Sequence, residues 1–483
     1  MSGEALMLLA LCAPLAGALL VLAMRRRANV REAMSLGAGV VLLAAVARLT
    51  RQVLDGDRPS LILAEPVPGA TFHLAAEPLG AVFALVASFL WIVTTVYSIG
   101  YMRAHGESNQ TRFYTFFAIA IASTMGVALS GNLLTLFFFY EVLTLSTYPL
   151  VAHAGSDEAK RGARVYLAIL VATSMGLFLV AIIGTALAAG SIEFTVGGVI
   201  GESVSQGAAA VLLLLYVFGI GKAALMPFHR WLPSAMVAPT PVSALLHAVA
   251  VVKAGVFSVL KVAVYIFGSE RLAAMATADA VAWAAAFTIL AASLVAMRMD
   301  NLKARLAYST VSQLSYIVLG AMLAVDTGTV GAAMHIVMHA FGKITLFFCA
   351  GAILVAAHKS RVSELDGLGR QMPWTLAAFA LASLSIAGLP PLGGVWSKWY
   401  LVLGTVESGH YLLMLVLLVS TLLNIWYLLE IPVRGFFAEA GERAAHGEAP
   451  PACLAAIGVT TIASVLLFLF PGPLFDAARL LVR

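Results

Sequence analysis

Charge is scarce in this chain. Only 11% of its 483 residues are Asp, Glu, Lys or Arg, against about a quarter in a soluble protein. Together with 61% hydrophobic residues and a mean hydropathy of +0.96, this excludes a soluble globular domain. Cysteine is nearly absent: Cys12, Cys349 and Cys453 stand alone in apolar stretches, so neither a disulfide framework nor a thiolate metal site is supported. Long polar segments are missing too. Only 53–76 and 434–451 read as surface loops of any size. The pI near 9.1 comes without a basic patch or aromatic–basic interleaving, which argues against a nucleic-acid partner. Glycine pairs such as Gly197-Gly198 lack the strand-and-helix setting of a nucleotide loop. The N-terminus, Met1-Ser2-Gly3-Glu4, has no positive n-region, and Arg25, Arg26 and Arg27 follow the apolar run. It reads as a retained first span and not a cleaved signal.

What is present is a succession of apolar runs of about 20 residues, the length that crosses a bilayer as a helix. The runs are continuous and not alternating, which excludes a β-barrel. The fold expected is an all-α polytopic membrane protein of about fourteen transmembrane helices. The spans fall near 5–24, 31–50, 77–101, 112–130, 132–152, 163–189, 207–227, 241–267, 275–297, 304–325, 329–357, 374–404, 410–433 and 452–471. Loops after odd-numbered spans carry 18 of the 29 Lys and Arg; loops after even-numbered spans and the termini carry 6. By the positive-inside rule the odd loops are cytoplasmic and both termini face the other side. The setting expected is the cell inner (plasma) membrane, multi-pass.

Two spans contain their own interruption. Residues 219–233 read Gly-Ile-Gly-Lys-Ala-Ala-Leu-Met-Pro-Phe-His-Arg-Trp-Leu-Pro, and 388–398 read Gly-Leu-Pro-Pro-Leu-Gly-Gly-Val-Trp-Ser-Lys. Proline removes a donor and glycine loosens the helix, so both spans should break at depth. Free backbone there is tolerated only when buried in protein or lining a wet cavity. The broken spans, seventh and twelfth, cross in opposite senses, which is the arrangement of an inverted repeat with an ion site at the breaks. The organisation expected is an N-terminal three-helix segment over 1–111, a first five-helix repeat over 112–267 (spans four to eight), a second over 275–433 (spans nine to thirteen), and a C-terminal loop with the last span over 434–483.

The remaining five basic residues, Lys222, Lys253, Lys261, Lys343 and Lys398, lie inside spans, as does Glu141. A charge at bilayer depth costs roughly 2.5–3.5 kcal/mol on insertion scales and usually marks an ion path. An amine in a poorly solvated site loses part of its preference for charge, and can then load and unload a proton near neutral pH. A nearby carboxylate reverses that loss. Glu141, in Phe-Phe-Phe-Tyr-Glu-Val-Leu-Thr, is the candidate switch for Lys222; the alternative is a static helix–helix ion pair. Lys253 follows His247 on the eighth span. His335, His339 and Lys343 sit at i, i+4 and i+8, so they line one helix stripe and suit a titratable relay. Their alternatives are polar groups satisfied by neighbouring helices, or metal or haem ligation by His335 and His339, for which further ligands are lacking. No metal or cofactor is expected. Lys398 follows the second break. Lys261, nearer a span end, is expected to snorkel to the headgroups. Glu430, His229 and Arg230 read as interfacial residues.

Several of these stretches resemble the antiporter-like subunits of respiratory complex I and the large subunits of Mrp-type cation/proton antiporters. The resemblance lies in Phe-Tyr-Glu-Val-Leu-Thr-Leu, in Gly-Lys-Ala-x-x-x-Pro-Phe-His-x-Trp-Leu-Pro ending at Pro233, and in Ala238-Pro-Thr-Pro-Val-Ser-Ala-Leu-Leu-His-Ala. It continues in His335-x-x-x-His-Ala-Phe-x-Lys and Gly388-Leu-Pro-Pro-x-x-Gly-x-x-x-Lys. It implies fourteen helices with two inverted five-helix repeats and a Glu141–Lys222 pair. It also implies lateral relay through Lys253 and the histidines, and gating by Lys398. The chain stops at Arg483 without the long lateral helix of the largest complex I subunit, which points to the D-type Mrp subunit or the shorter complex I subunits. The expected role is a proton-translocating subunit of an Mrp-type antiporter, moving protons along Glu141, Lys222, His247, Lys253, His335, His339, Lys343 and Lys398 in exchange for sodium. A proton-pumping subunit of a complex I-like NADH–quinone oxidoreductase or a membrane-bound hydrogenase fits as well, with no redox site in this chain. Other membrane subunits, lipids, protons and sodium are the expected partners. A redox subunit would need paired histidines on two helices, and a silent scaffold would have lysines without water between them.

Overall fold

The computed structural model describes residues 1–67, 69–439 and 447–482. The expected C-terminal loop therefore falls partly outside the described residues, as do Arg443 and Arg483. The first helices are α1 (Gly3–Ala23), α2 (Ala28–Leu54), α3 (Pro78–Ala104), α4 (Gln110–Ala128) and α5 (Leu133–Val151). Helix α6 (Asp157–Thr173) runs through a π turn, Ser174–Phe178, into α7 (Leu179–Ala189). Then come α8 (Gln206–Gly219), the short α9 (Trp231–Ser234), and α10 (Thr240–Ala244). A π turn joins α10 to α11 (Val251–Val262), and α12 (Ser269–Ala273) follows. The second half holds α13 (Ala276–Arg298), α14 (Leu302–Met322), α15 (Asp326–Ala357), α16 (Pro373–Ala387), α17 (Gly394–Glu407) and α18 (Tyr411–Phe437). Helices α19 (Pro451–Leu469) and α20 (Gly472–Arg479) close the chain.

Among the described residues, eleven helical segments are long and apolar enough to cross a membrane. The expected spans at 207–227, 304–325 and 374–404 differ from these. The first and third are divided into shorter apolar pieces, α8 and α16 among them. The second, α14, is long enough but carries buried Ser309, Thr310, Ser312, Gln313 and Ser315. One element was not expected. Within 53–76 the chain pairs β1 (Ser60–Val67) with β2 (Ala70–Ala75) in an antiparallel hairpin, and Leu74 bridges to Ser130 at the α4–α5 turn.

Helix ends are made by side chains where lipid offers no partner. Asn132 accepts from Thr135 N at 2.9 Å to start α5, and Asn301 accepts from Ala304 N at 3.0 Å to start α14. Both interruptions are real breaks. Helix α8 ends at Gly219, whose Cβ position lies 2.4 Å from Phe178 N, so only glycine lets the π turn approach. A 3₁₀ turn, Gly221–Ala223, follows, and Ala224 is left-handed at φ 56°. The freed backbone is satisfied by side chains: Lys222 N donates to Tyr140 Oη at 3.1 Å, and Trp231 Nε1 donates to Gly221 O at 2.9 Å. Helix α16 ends at left-handed Gly388, φ 82°. Helix α17 begins at Gly394, where a Cβ would sit 1.9 Å from Ser385 O.

Candidate functional site

The buried polar residues gather between the two breaks. Lys222, Lys253 and Lys343 are 0–1% exposed and Lys398 7%. A buried ammonium needs acceptors, and each lysine finds a different set. Lys222 Nζ donates to Tyr140 O at 2.9 Å and to Thr144 Oγ1, and lies over the Tyr140 ring. Glu141 is not among its partners. No ion pair within 4.0 Å joins Glu141 to any lysine among the described residues, and Glu141 Oε1 is buried without a partner. The pair that the resemblance implies is thus open in this structure.

Helix α11 packs on the Lys222 turn through Gly255, whose Cβ position is 2.3 Å from Lys222 C. On α11, Lys253 Nζ lies 2.6 Å from His339 Nδ1 of α15. The His339 and His335 ring centroids are 5.7 Å apart, so the expected stripe on α15 is formed. His335 Nδ1 lies 2.9 Å from Ser397 Oγ and its Nε2 3.2 Å from Gln313 Oε1. Lys343 Nζ donates to Ser309 Oγ at 2.6 Å. Lys398 Nζ donates to Ala387 O, an unpaired carbonyl at the end of α16, at 3.2 Å, where the helix dipole favours a cation. His247 is fully buried beside the Phe347 ring, 4.5 Å between centroids. Among the described residues, no group of three or more His, Cys, Asp or Glu is placed to hold a metal.

Sequence reasoning missed the groups between the lysines. Tyr427 Oη donates to Asn424 Oδ1 and lies 2.9 Å from Ser309 Oγ, whose hydroxyl can donate to it. One turn away, Thr421 Oγ1 accepts from Lys398 Nζ at 3.4 Å. Lys343 and Lys398 therefore approach one another through hydroxyl and amide groups of α14 and α18. The signal was available: α14 is unusually polar for a span, and Ser420, Thr421 and Asn424 interrupt the apolar run of α18.

One expectation needs correction. Lys261 does not snorkel. It is 0% exposed and its Nζ pairs with Glu77 Oε1 at 2.6 Å, because the hairpin and the α7–α8 connection close over that end of α11. Glu430, expected at the interface, is about one-third exposed and accepts from Arg305 Nη1 at 2.6 Å. The His229 ring lies 6.2 Å from that of Tyr308, and Arg230 is exposed.

The architecture is that of a polytopic helical membrane protein built round two interrupted helices and a buried line of amines and imidazoles. The profile of the family described as NADH:quinone oxidoreductase/Mrp antiporter, TM matches residues 130–424, more than half of the chain, and the chain belongs to that family. It is 32% identical over 443 residues to NADH-quinone oxidoreductase subunit N of Desulforudis audaxviator (strain MP104C), covering 89% of this chain and 87% of the relative. It is 33% identical to hydrogenase-4 component B of Escherichia coli (strain K12) over 70% of this chain and 51% of the relative. It is also 33% identical to the A/B component of a probable K(+)/H(+) antiporter of Rhizobium meliloti (strain 1021), over 71% of this chain and 34% of that relative. The chain thus spans about half or less of these last two proteins. In fold it resembles a chain of the Mrp complex from Dietzia sp. DQ12-45-1b, with TM-score 0.87 and 21% identity over 100% of this chain and 97% of the other. It also resembles a chain of the archaeal membrane-bound sulfane sulfur reductase, with TM-score 0.85 and 20% identity over 99% and 96%.

Proposed function

We propose that this chain is the proton-translocating subunit of a multi-subunit cation/proton antiporter of the Mrp type, exchanging protons for sodium. The observation that carries the reading is the buried series Lys222, Lys253–His339, His335, Lys343 and Lys398, anchored at both helix breaks. A bilayer protein has reason to keep four such amines when they move charge. Several polar atoms along the series have no protein partner: both His247 nitrogens, His339 Nε2, Gln313 Nε2 and Asn424 Nδ2. Buried polar atoms of this kind are ordinarily satisfied by internal water, which supports a proton path over a silent scaffold. Protons would load Lys222, cross by Lys253, the histidines and Lys343, and leave past Lys398. Glu141 approaching Lys222 would hold the proton there, and its withdrawal would release it. The two breaks would belong to inverted repeats over 112–267 and 275–433. The protein would sit in the cell inner membrane with both termini outside. Lipids and other membrane subunits would cover the exposed apolar faces of α7 and α18, where Leu187 and Trp426 are 83% and 68% exposed.

A second reading, a proton-pumping subunit of a complex I-like oxidoreductase, is favoured by the match to the NADH-quinone oxidoreductase relative over 89% of this chain and 87% of the relative. Both readings place the same residues on the path. Lys222→Ala and Glu141→Ala should each abolish pH-gradient formation in membrane vesicles, followed with a pH-sensitive dye, while the complex still assembles. Normal gradients with both variants would sink the idea. Co-purified flavin and iron–sulfur subunits would mean the oxidoreductase; small membrane subunits alone would mean the antiporter.

A further inference from the structure

The Lys261–Glu77 pair lies apart from the series just described. It belongs to the membrane face that carries the β-hairpin, the α4–α5 turn and the α7–α8 connection. Lys261 stands eight residues beyond Lys253 on the same helix, about 12 Å at 1.5 Å per residue. Between them Phe257 packs against Phe83, the rings tilted by 34° with centroids 4.9 Å apart. Lys261 Nζ lies 5.5 Å from the Phe257 centroid on one side and 4.4 Å from that of Phe194 on the other. Its Nζ forms an ion pair with Glu77 Oε1 at 2.6 Å and donates to Ser130 O at 2.5 Å.

Polarity and exposure rise outward from this amine. Glu77 is 14% exposed against 0% for Lys261. Two residues beyond Ser130, Asn132 Nδ2 donates to Glu193 Oε1 at 2.9 Å. Glu193 in turn meets His73 Nδ1 at 2.7 Å, and these two side chains are 42% and 21% exposed. An amine sealed from the centre by an aromatic pair, and opening to solvent through a carboxylate, is placed to exchange protons with that surface.

We propose that Lys261 and Glu77 form a proton-exchange site at the hairpin face of the membrane, between the central series and bulk water. The step is a transfer within the pair. The Lys261 ammonium N–H breaks, an O–H forms on the Glu77 carboxylate, and amine and acid are both neutral. Glu77 then loses the proton to water, and the Lys261 amine takes the next one from inside when the Phe257–Phe83 contact opens. The proposal rests on the proton-transport reading above.

Arginine separates this from a structural ion pair, because it keeps the charge and the carboxylate contact yet does not deprotonate. In vesicles carrying the assembled complex, Lys261→Arg should lower the initial rate of pH-gradient formation on the order of 100-fold, the low end of what a positioned acid–base group supplies. If Lys261→Arg does not assemble, the double variant Lys261→Gln/Glu77→Gln takes its place: neutral amides keep a hydrogen bond and carry no proton, so the same loss is expected. Wild-type rates in an assembled Lys261→Arg or double variant overturn the proposal. Lys222→Ala in the same preparation keeps the two ideas distinct. If it abolishes transport while Lys261→Arg does not, only the outer site falls; if neither does, the transport reading falls as well.

Discussion

Each intramembrane lysine is defined by what accepts its protons. Lys222 has a backbone carbonyl and a threonine, Lys253 an imidazole, Lys343 a serine, and Lys398 a helix-end carbonyl. Lys261 alone of the five has a carboxylate. Four amines with neutral partners can give up a proton without leaving a bare anion behind, which suits a relay. Tyr427 tests whether the hydroxyl groups carry protons between Lys343 and Lys398. Its Oη joins Ser309 to Asn424, and leaving such buried groups unpaired costs about 1–3 kcal/mol. Tyr427→Phe should slow gradient formation roughly tenfold, since about 1.4 kcal/mol is a factor of ten, with the assembled complex unchanged on a native gel. An unaltered rate would remove Tyr427 from the path. The existence of every central lysine was legible in the sequence. Their partners were not, because Ser309, Tyr427 and Thr421 are ordinary residues until α14 and α18 bring them together.

The two broken helices show how an element positions an amine. The Gly and Pro residues that announce the breaks stop the backbone ladder, and the chain must then satisfy its freed groups locally. At the first break that task falls to Tyr140 and Trp231. The close approach of α11 depends on Gly255. Gly255→Ala should push the Lys222 turn away and destabilise the protein by about 1–3 kcal/mol, the cost of overpacking a close contact. A lower thermal midpoint of the detergent-purified protein would show it. Gly207→Ala is the comparison: nothing lies within 4 Å of its Cβ position, so its midpoint should hold or rise. The locations of the breaks were readable because proline and glycine act on their own backbone. The hairpin was not, since its register is set by packing against the α4–α5 turn.

At the scale of the molecule, the bias of Lys and Arg toward one set of loops predicts a fixed orientation. In a background lacking Cys12, Cys349 and Cys453, Glu65→Cys on the hairpin should react with a membrane-impermeant thiol reagent in intact cells. Glu158→Cys, on the α5–α6 side, should react only after permeabilisation. The reverse pattern would invert the orientation, and with it the surface served by the Lys261–Glu77 pair.

Composition and period determined by themselves that this is a multi-pass helical protein, where two of its helices break, and which charged residues lie inside apolar runs. These follow from terms acting over a few neighbouring residues: the hydrophobic run, the missing donor of proline, the price of a charge in lipid. Only the tertiary structure decided that Glu141 and Lys222 are not in ion-pair contact, that Lys261 turns inward to Glu77, and that hydroxyl groups fill the interval between Lys343 and Lys398. Each of these depends on the rotation of one helix against another, and that rotation is set by contacts between residues far apart in the chain.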